Sequence, residues 1–104
     1  MITPEVIIKE VCAYYDLTKK EILSKTRKRE IITPRQMYQT LLKENTRLSL
    51  AQIGMTTFKN HATIIHATKT IHNLIETDWK IKRDYDRLNW NIRNQKKIVE
   101  DYCI

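Results

Sequence analysis

The chain has 104 residues, with 19 Lys and Arg against 12 Asp and Glu, a formal net charge of +7 and a pI near 9.5. That length holds one modest core, not a catalytic module beside a regulatory one, and a hydrophobic share of 41% excludes wholesale disorder. One Gly and two Pro leave little to build the tight turns of a β-sandwich or barrel and too few glycines for the phosphate cradle of a P-loop. An all-α chain is expected.

Thr3-Pro4-Glu5 supplies an N-cap, an N1 proline and an acidic first turn, and opens the apolar stripe Ile7, Val11, Tyr14 and Tyr15 of a first helix ending near Asp16. Thr18 with Glu21 forms a capping-box pattern, so a short second helix is expected through Ile22 and Leu23 to about Ser24. Lys25-Thr26-Arg27-Lys28-Arg29, with four basic residues in five, reads as a loop. Thr33-Pro34-Arg35-Gln36 combines a capping box with an N1 proline ahead of Met37, Tyr38, Leu41 and Leu42, which predicts a third helix over roughly 34–45.

Ser49 and Gln52 give another box, stapled by Leu48 and Ile53, for a short fourth helix that stops around Gly54 or Met55. Asn60 can cap a fifth helix with the stripe Ile64, Ile65, Thr68, Ile71, Leu74 and Ile75. Asp78 starts a sixth, with Trp79, Ile81, Tyr85, Leu88 and Ile92 assigned to one face. The expected architecture is a compact bundle of about six helices as one domain over 1–94, with 95–104 a helical extension or frayed tail.

No apolar run reaches the roughly 18 residues that cross a bilayer, and the start Met-Ile-Thr-Pro-Glu lacks a basic-then-apolar leader. A cytoplasmic protein without membrane attachment is expected. Cys12 and Cys103, far apart and without metal spacing, read as reduced thiols. His61, His66 and His72 are spaced five and six apart, off a common helical face for a metal. With no nucleophile beside a base, no paired carboxylates and no cofactor loop, the reading is a non-enzyme without cofactor, metal or small-molecule substrate. Trp79 and Trp90 read as core or interface packing.

A short capped helix, a tight turn and a longer helix from Asn60 have the proportions of a helix-turn-helix, whose second helix offers its N-terminal residues to base edges. Such pairs are common in all-α domains, and a basic cluster is commonly just a solvated loop. Here Lys25, Arg27, Lys28 and Arg29 coincide with that pair and with a basic pI, which points to DNA. Arg35, in the first turn of the predicted third helix, opposes the macrodipole there. A phosphate or an acidic partner would explain it better than helix stability does.

The strings Ser24-Lys25-Thr26-Arg27-Lys28-Arg29, Thr33-Pro34-Arg35-Gln36-Met37, Ser49-Leu50-Ala51-Gln52-Ile53-Gly54 and His61-Ala62-Thr63-Ile64-Ile65-His66-Ala67 resemble, in order and spacing, the C-terminal DNA-binding domain of the bacterial replication initiator DnaA. The resemblance spans roughly residues 3 to 92. It implies an all-α bundle with a helix-turn-helix of the Trp-repressor type that recognises duplex DNA at the origin. By position it implies that Arg27 enters the minor groove and that Arg29 and Arg35, like Lys25, Lys28 and Lys59 nearby, face the backbone. It also implies that His61 reaches a base, that Thr63 hydrogen-bonds a phosphate and that Lys69 is a further basic contact.

The departures concern the turn. The family has a Gly-Gly-Arg-Asp-His type string, whereas Phe58-Lys59-Asn60-His61 has no glycine and is about one residue shorter. Asn60 stands in place of an aspartate that reads cytosine amino groups, and Ala62 in place of a base-reaching threonine. Asn both donates and accepts and prefers adenine, and Ala keeps only a methyl contact suited to thymine. An altered and weaker base preference is expected, at about 1–3 kcal/mol for each lost base contact.

The family's ATPase module has neither room nor glycines here, so a detached domain or a stand-alone protein that occupies DNA without ATP is expected. Three functions stay open: duplex binding at origin-like sites in or regulating replication initiation, a module that kept the fold but binds a replication initiator or other replication protein, and a small transcription regulator.

Overall fold

The computed structural model describes residues 2–57 and 60–94. Lys59, Cys103 and the expected tail over 95–104 lie outside them. Among the described residues there are six helices and no strand: α1 (Pro4–Tyr15), α2 (Lys19–Ile22), α3 (Arg29–Asn45), α4 (Leu50–Thr57), α5 (His61–Thr77) and α6 (Trp79–Arg93).

Local caps place most of these boundaries. Thr3 Oγ1 accepts from Val6 N at 3.3 Å, with Pro4 in the first turn, and Asp16 ends α1 in the left-handed region at φ 55°. Both halves of the Thr18/Glu21 box are made, at 3.0 and 3.1 Å, and both halves of the Ser49/Gln52 box, at 2.8 and 3.2 Å. Asn60 and Asp78 cap α5 and α6 through their carbonyl and carboxylate oxygens. Each cap satisfies backbone donors that the first turn of a helix leaves over.

Three boundaries depart from expectation. α3 begins at Arg29, five residues before the predicted start, and carries Pro34 inside it. Thr33 therefore caps nothing, and the basic loop shortens to 25–28. The physical reason is burial: Ile31, Pro34, Tyr38, Leu41 and Leu42 are all buried, an i, i+3, i+7 pattern that runs unbroken through the proline. Lys28 accepts at its carbonyl from Ile31 N and Ile32 N, at 3.0 and 2.9 Å, and opens the helix without a side-chain cap. The burial outweighs the one backbone bond Pro34 cannot make.

α4 runs through Gly54 to Thr57. Gly54 is buried and no glycine has positive φ, so it is a close-approach residue of α4 and not the left-handed stop the sequence suggests. α2 closes at Ile22, before Leu23 and Ser24.

α3 is the central helix, in contact with α1, α2, α4 and α5, while α6 closes the bundle against α1 and α5. The core gathers Ile7, Val11, Ile22, Met37, Leu41, Ile53, Ile64, Ile71, Leu88 and Ile92, all at 0–1% exposure. At full burial a single Leu or Ile is worth about 1.5–3 kcal/mol. One carboxylate joins them from α6: buried Asp84 accepts from Tyr14 OH at 2.5 Å and Tyr15 OH at 3.2 Å, with Arg83 Nη2 at 3.3 Å. This pins α6 across the C-terminal turn of α1, a link with no local sequence signal.

Trp79 does not share the buried face of α6. It is 67% exposed and Trp90 is 49% exposed, so neither is a core residue. Arg83 and Lys80 lie over the Trp79 ring at 5.2 and 6.0 Å, and Arg87 over Trp90 at 5.5 Å. No described helix is long and apolar enough to cross a membrane.

Candidate nucleic-acid interface

The loop over 25–28, the start of α3 and the start of α5 meet at one cleft of about 560 Å³, lined among others by Lys25, Arg27, Arg35, Gln39, Thr63 and His66. Lys25, Arg27, Lys28 and Arg29 are exposed. Among the described residues none of these four has an acidic partner within ion-pair distance. Four cations in five positions repel one another, and a fold that leaves them unpaired retains a field that attracts an anionic polymer.

Arg35 is placed differently from the sequence expectation. It lies nearly two turns inside α3, so the macrodipole argument for it falls, and it is only 8% exposed. Its Nε donates to the carbonyl of Ile22 at 2.8 Å, taking up an acceptor that the end of α2 leaves over. Arg35 therefore ties α2 to α3. Burial pulls its pKa below the usual guanidinium range, but an arginine remains charged at neutral pH.

The N-terminus of α5 presents Asn60, His61 and Ala62, all exposed, and half-buried Thr63. Asn60 Oδ1 accepts twice, from Thr63 N at 2.9 Å and from Thr63 Oγ1 at 3.1 Å. The amide orientation follows, since only the oxygen can receive a backbone N–H, and the cap leaves the Nδ2 hydrogens as the unengaged donors of Asn60. The Thr63 hydroxyl proton is likewise committed to the cap. His66 is exposed on the cleft side, and Lys69 is exposed one turn farther along α5.

The order of elements, the exposed start of α5 and the flanking cations together describe a helix-turn-helix with a basic arm. The family described as the bacterial DnaA protein helix-turn-helix matches residues 4–71. The chain belongs to this family. It thus carries the DnaA DNA-binding domain, which acts on double-stranded DNA in replication initiation. The match takes in α1 to α4 and α5 up to Ile71, and it ends before α6, so the tryptophan-bearing helix lies beyond the matched DnaA segment.

Gln39 is a cleft residue that the sequence reading missed. Four residues after Arg35 and on the same helical face, it is 1% exposed and lines the cleft. An interior polar residue at i+4 from an arginine, between Tyr38 and Leu41, is the signal that could have found it. No three His, Cys, Asp or Glu side chains gather for a metal among the described residues.

Proposed function

We propose that this domain binds duplex DNA with a sequence preference, at replication-origin-like sites, through two elements that act together. Lys25, Lys28, Arg29, Lys59 and Lys69 hold the backbone, and Arg27 enters the minor groove. Asn60, His61 and Ala62 face the major groove from the start of α5, while Arg35 serves the phosphates beside them and Thr63, its hydroxyl proton spent on the cap, holds Asn60 in place. The observation that carries this reading is the set of exposed cations, without an acidic partner among the described residues, that flank the start of α5.

The cap at Asn60 refines the expected base preference. Bidentate pairing to adenine needs an amide oxygen that can accept, and Oδ1 already accepts from two groups of Thr63. A donor-only Nδ2 favours the acceptor edge of a purine, guanine N7 and O6 included, where the family's aspartate position accepts from cytosine. The domain acts without ATP hydrolysis of its own, in the cytoplasm, in or on the control of initiation.

The test is fluorescence anisotropy of a labelled duplex carrying the family's recognition site, beside a scrambled duplex, at several salt concentrations. Tighter binding to the site, weakened about tenfold or more by Arg27→Ala, is the expected result. Equal salt-dependent binding to both duplexes would remove the origin-site claim and leave DNA binding. No binding at low salt would remove the reading altogether.

A second reading, a module for a replication initiator or another replication protein, is favoured by the exposure of Trp79 and Trp90, since Trp and Arg dominate protein-interaction hot spots. Its partner would bind with weak salt dependence, and Trp79→Ala with Trp90→Ala would abolish that binding without altering DNA affinity.

A further inference from the structure

The floor of the cleft carries two buried donors. Among the described residues Arg35 Nη2 and Gln39 Nε2 have no hydrogen-bond partner, on side chains that are 8% and 1% exposed. The second is a full amide in a stretch of α3 where Met37, Tyr38, Leu41 and Leu42 are all nearly inaccessible. Such a group costs free energy wherever it is left unsatisfied. Arg35 is the more unusual case, because among the described residues no carboxylate forms an ion pair with its guanidinium. A buried charge is retained where something of opposite sign completes it.

Both side chains belong to one face of α3, four residues apart, and both line the same cleft as Lys25 and Arg27 of the loop and Thr63 and His66 of α5. The cleft is therefore graded, with exposed cations at its rim and desolvated donors beneath. Donors without acceptors, under a net positive rim, fit a ligand that is all acceptor and negatively charged. A tetrahedral oxyanion meets both conditions, and a guanidinium with an amide beside it suits two of its oxygens.

We propose that this cleft is a seat for one phosphate-type oxyanion, held from below by Arg35 Nη2 and Gln39 Nε2 and from the rim by Lys25. The proposal goes beyond duplex binding by making Gln39, an interior residue of α3, a ligand-contacting residue. It deepens the proposed function if the oxyanion is a backbone phosphate, and stands apart from it if the oxyanion is free phosphate.

The test has two arms. In the first, the DNA-free chain labelled with ¹⁵N is titrated with inorganic phosphate against chloride at equal ionic strength, and the side-chain Nε signal of Arg35 and Nε2 signals of Gln39 are followed. A saturable shift of both in the wild type, with the Arg35 shift lost in Gln39→Met and in Gln39→Leu, is the result for free phosphate. In the second, duplexes with a single uncharged methylphosphonate at successive backbone positions are bound to the wild type and to Gln39→Met.

For a backbone phosphate, one position weakens the wild type by about tenfold or more, and the same position leaves Gln39→Met unaffected. Either result supports the seat. A flat phosphate titration together with the same methylphosphonate profile for both proteins overturns it. Two substitutions guard the interpretation, since removing an unsatisfied buried donor should leave the fold intact by circular dichroism. A positive first arm beside absent DNA binding would keep the seat and discard the duplex reading. Sequence-preferring duplex binding with both arms negative would do the reverse.

Discussion

Arginines and lysines line two regions of this molecule, the cleft at the loop over 25–28 and the outer face of α6, and the two differ in what the cations already hold. On α6, Arg83 pairs with Asp84 and lies over Trp79, Arg87 lies over Trp90, and Lys82 meets Asp86 at 2.8 Å. At the cleft, Lys25, Arg27, Lys28 and Arg29 have no acidic partner among the described residues, and Arg35 has one backbone carbonyl and an unsatisfied Nη2. The net charge of +7 is therefore a poor guide by itself. What marks an interface for a polyanion is the cations whose own fold has left them without a partner.

The largest expected effect breaks this comparison directly. Replacing Lys25, Arg27 and Lys28 together by Ala should lower duplex affinity on the order of a hundredfold and flatten the log-log salt slope by about 2 to 3, at about 0.9 per phosphate contact. The triple replacement of Lys80, Arg83 and Arg87 removes the same charge, and should change affinity by less than about threefold at physiological salt, where the Debye length is about 8 Å. Equal slopes for the two triple variants would erase the distinction between the regions.

Next in size is Asp84→Ala, which strips two phenols and an arginine of a buried acceptor. A loss of about 2–4 kcal/mol in urea unfolding is expected, with the DNA affinity of the folded protein unchanged; a weakened affinity would mean that the two regions are coupled. Asn60→Ala should cost about 1 kcal/mol of stability through the lost cap. Asn60→Asp keeps the cap and adds a favourable charge at the start of α5, so its stability should equal or exceed wild type while base preference changes.

The mildest effect near neutrality is on the alkaline side. Burial pushes the Tyr38 and Tyr85 phenols up to about 12 from an ordinary value of 10.0, Tyr85 also through its bond to Glu44, and it raises Tyr14 and Tyr15, whose neighbour Asp84 adds to the shift. A phenol whose pKa is raised on folding favours the folded state fully below about pH 10, and that contribution is lost as pH climbs toward about 12. The urea midpoint should be level up to about pH 9 and fall steeply between about pH 10 and 12. A midpoint that stays level through that window would contradict the burial of these phenols.

Much of the helical frame is legible because its signals are local. Thr3, Thr18, Ser49, Asn60 and Asp78 each satisfy donors within three residues of themselves, so their spacing in the sequence is already the geometry of the cap. The start of α3 is not legible in that way. Thr33-Pro34 is a good local start, overruled by the burial of Ile31 and Pro34 against other helices. Gly54 is a good local stop, overruled by the packing of α4. Trp79 fits the apolar period of α6 and yet is exposed, because the packed face of that helix is set by Asp84, Leu88 and Ile92.

The candidate site divides along the same line. The basic loop, the capped start of α5 and the resemblance to DnaA could be read from residues near one another in the chain. That Arg35 is buried and holds the end of α2, and that Gln39 joins it beneath the loop, could not, because those facts depend on contacts between α2, α3 and α5. By itself the sequence determined an all-α bundle, its caps, its excess of positive charge and its family, since each rests on composition or on interactions spanning a few residues. Only the tertiary structure decided which cations are spent within the fold and which are left to bind, because pairing and desolvation are properties of neighbours in space.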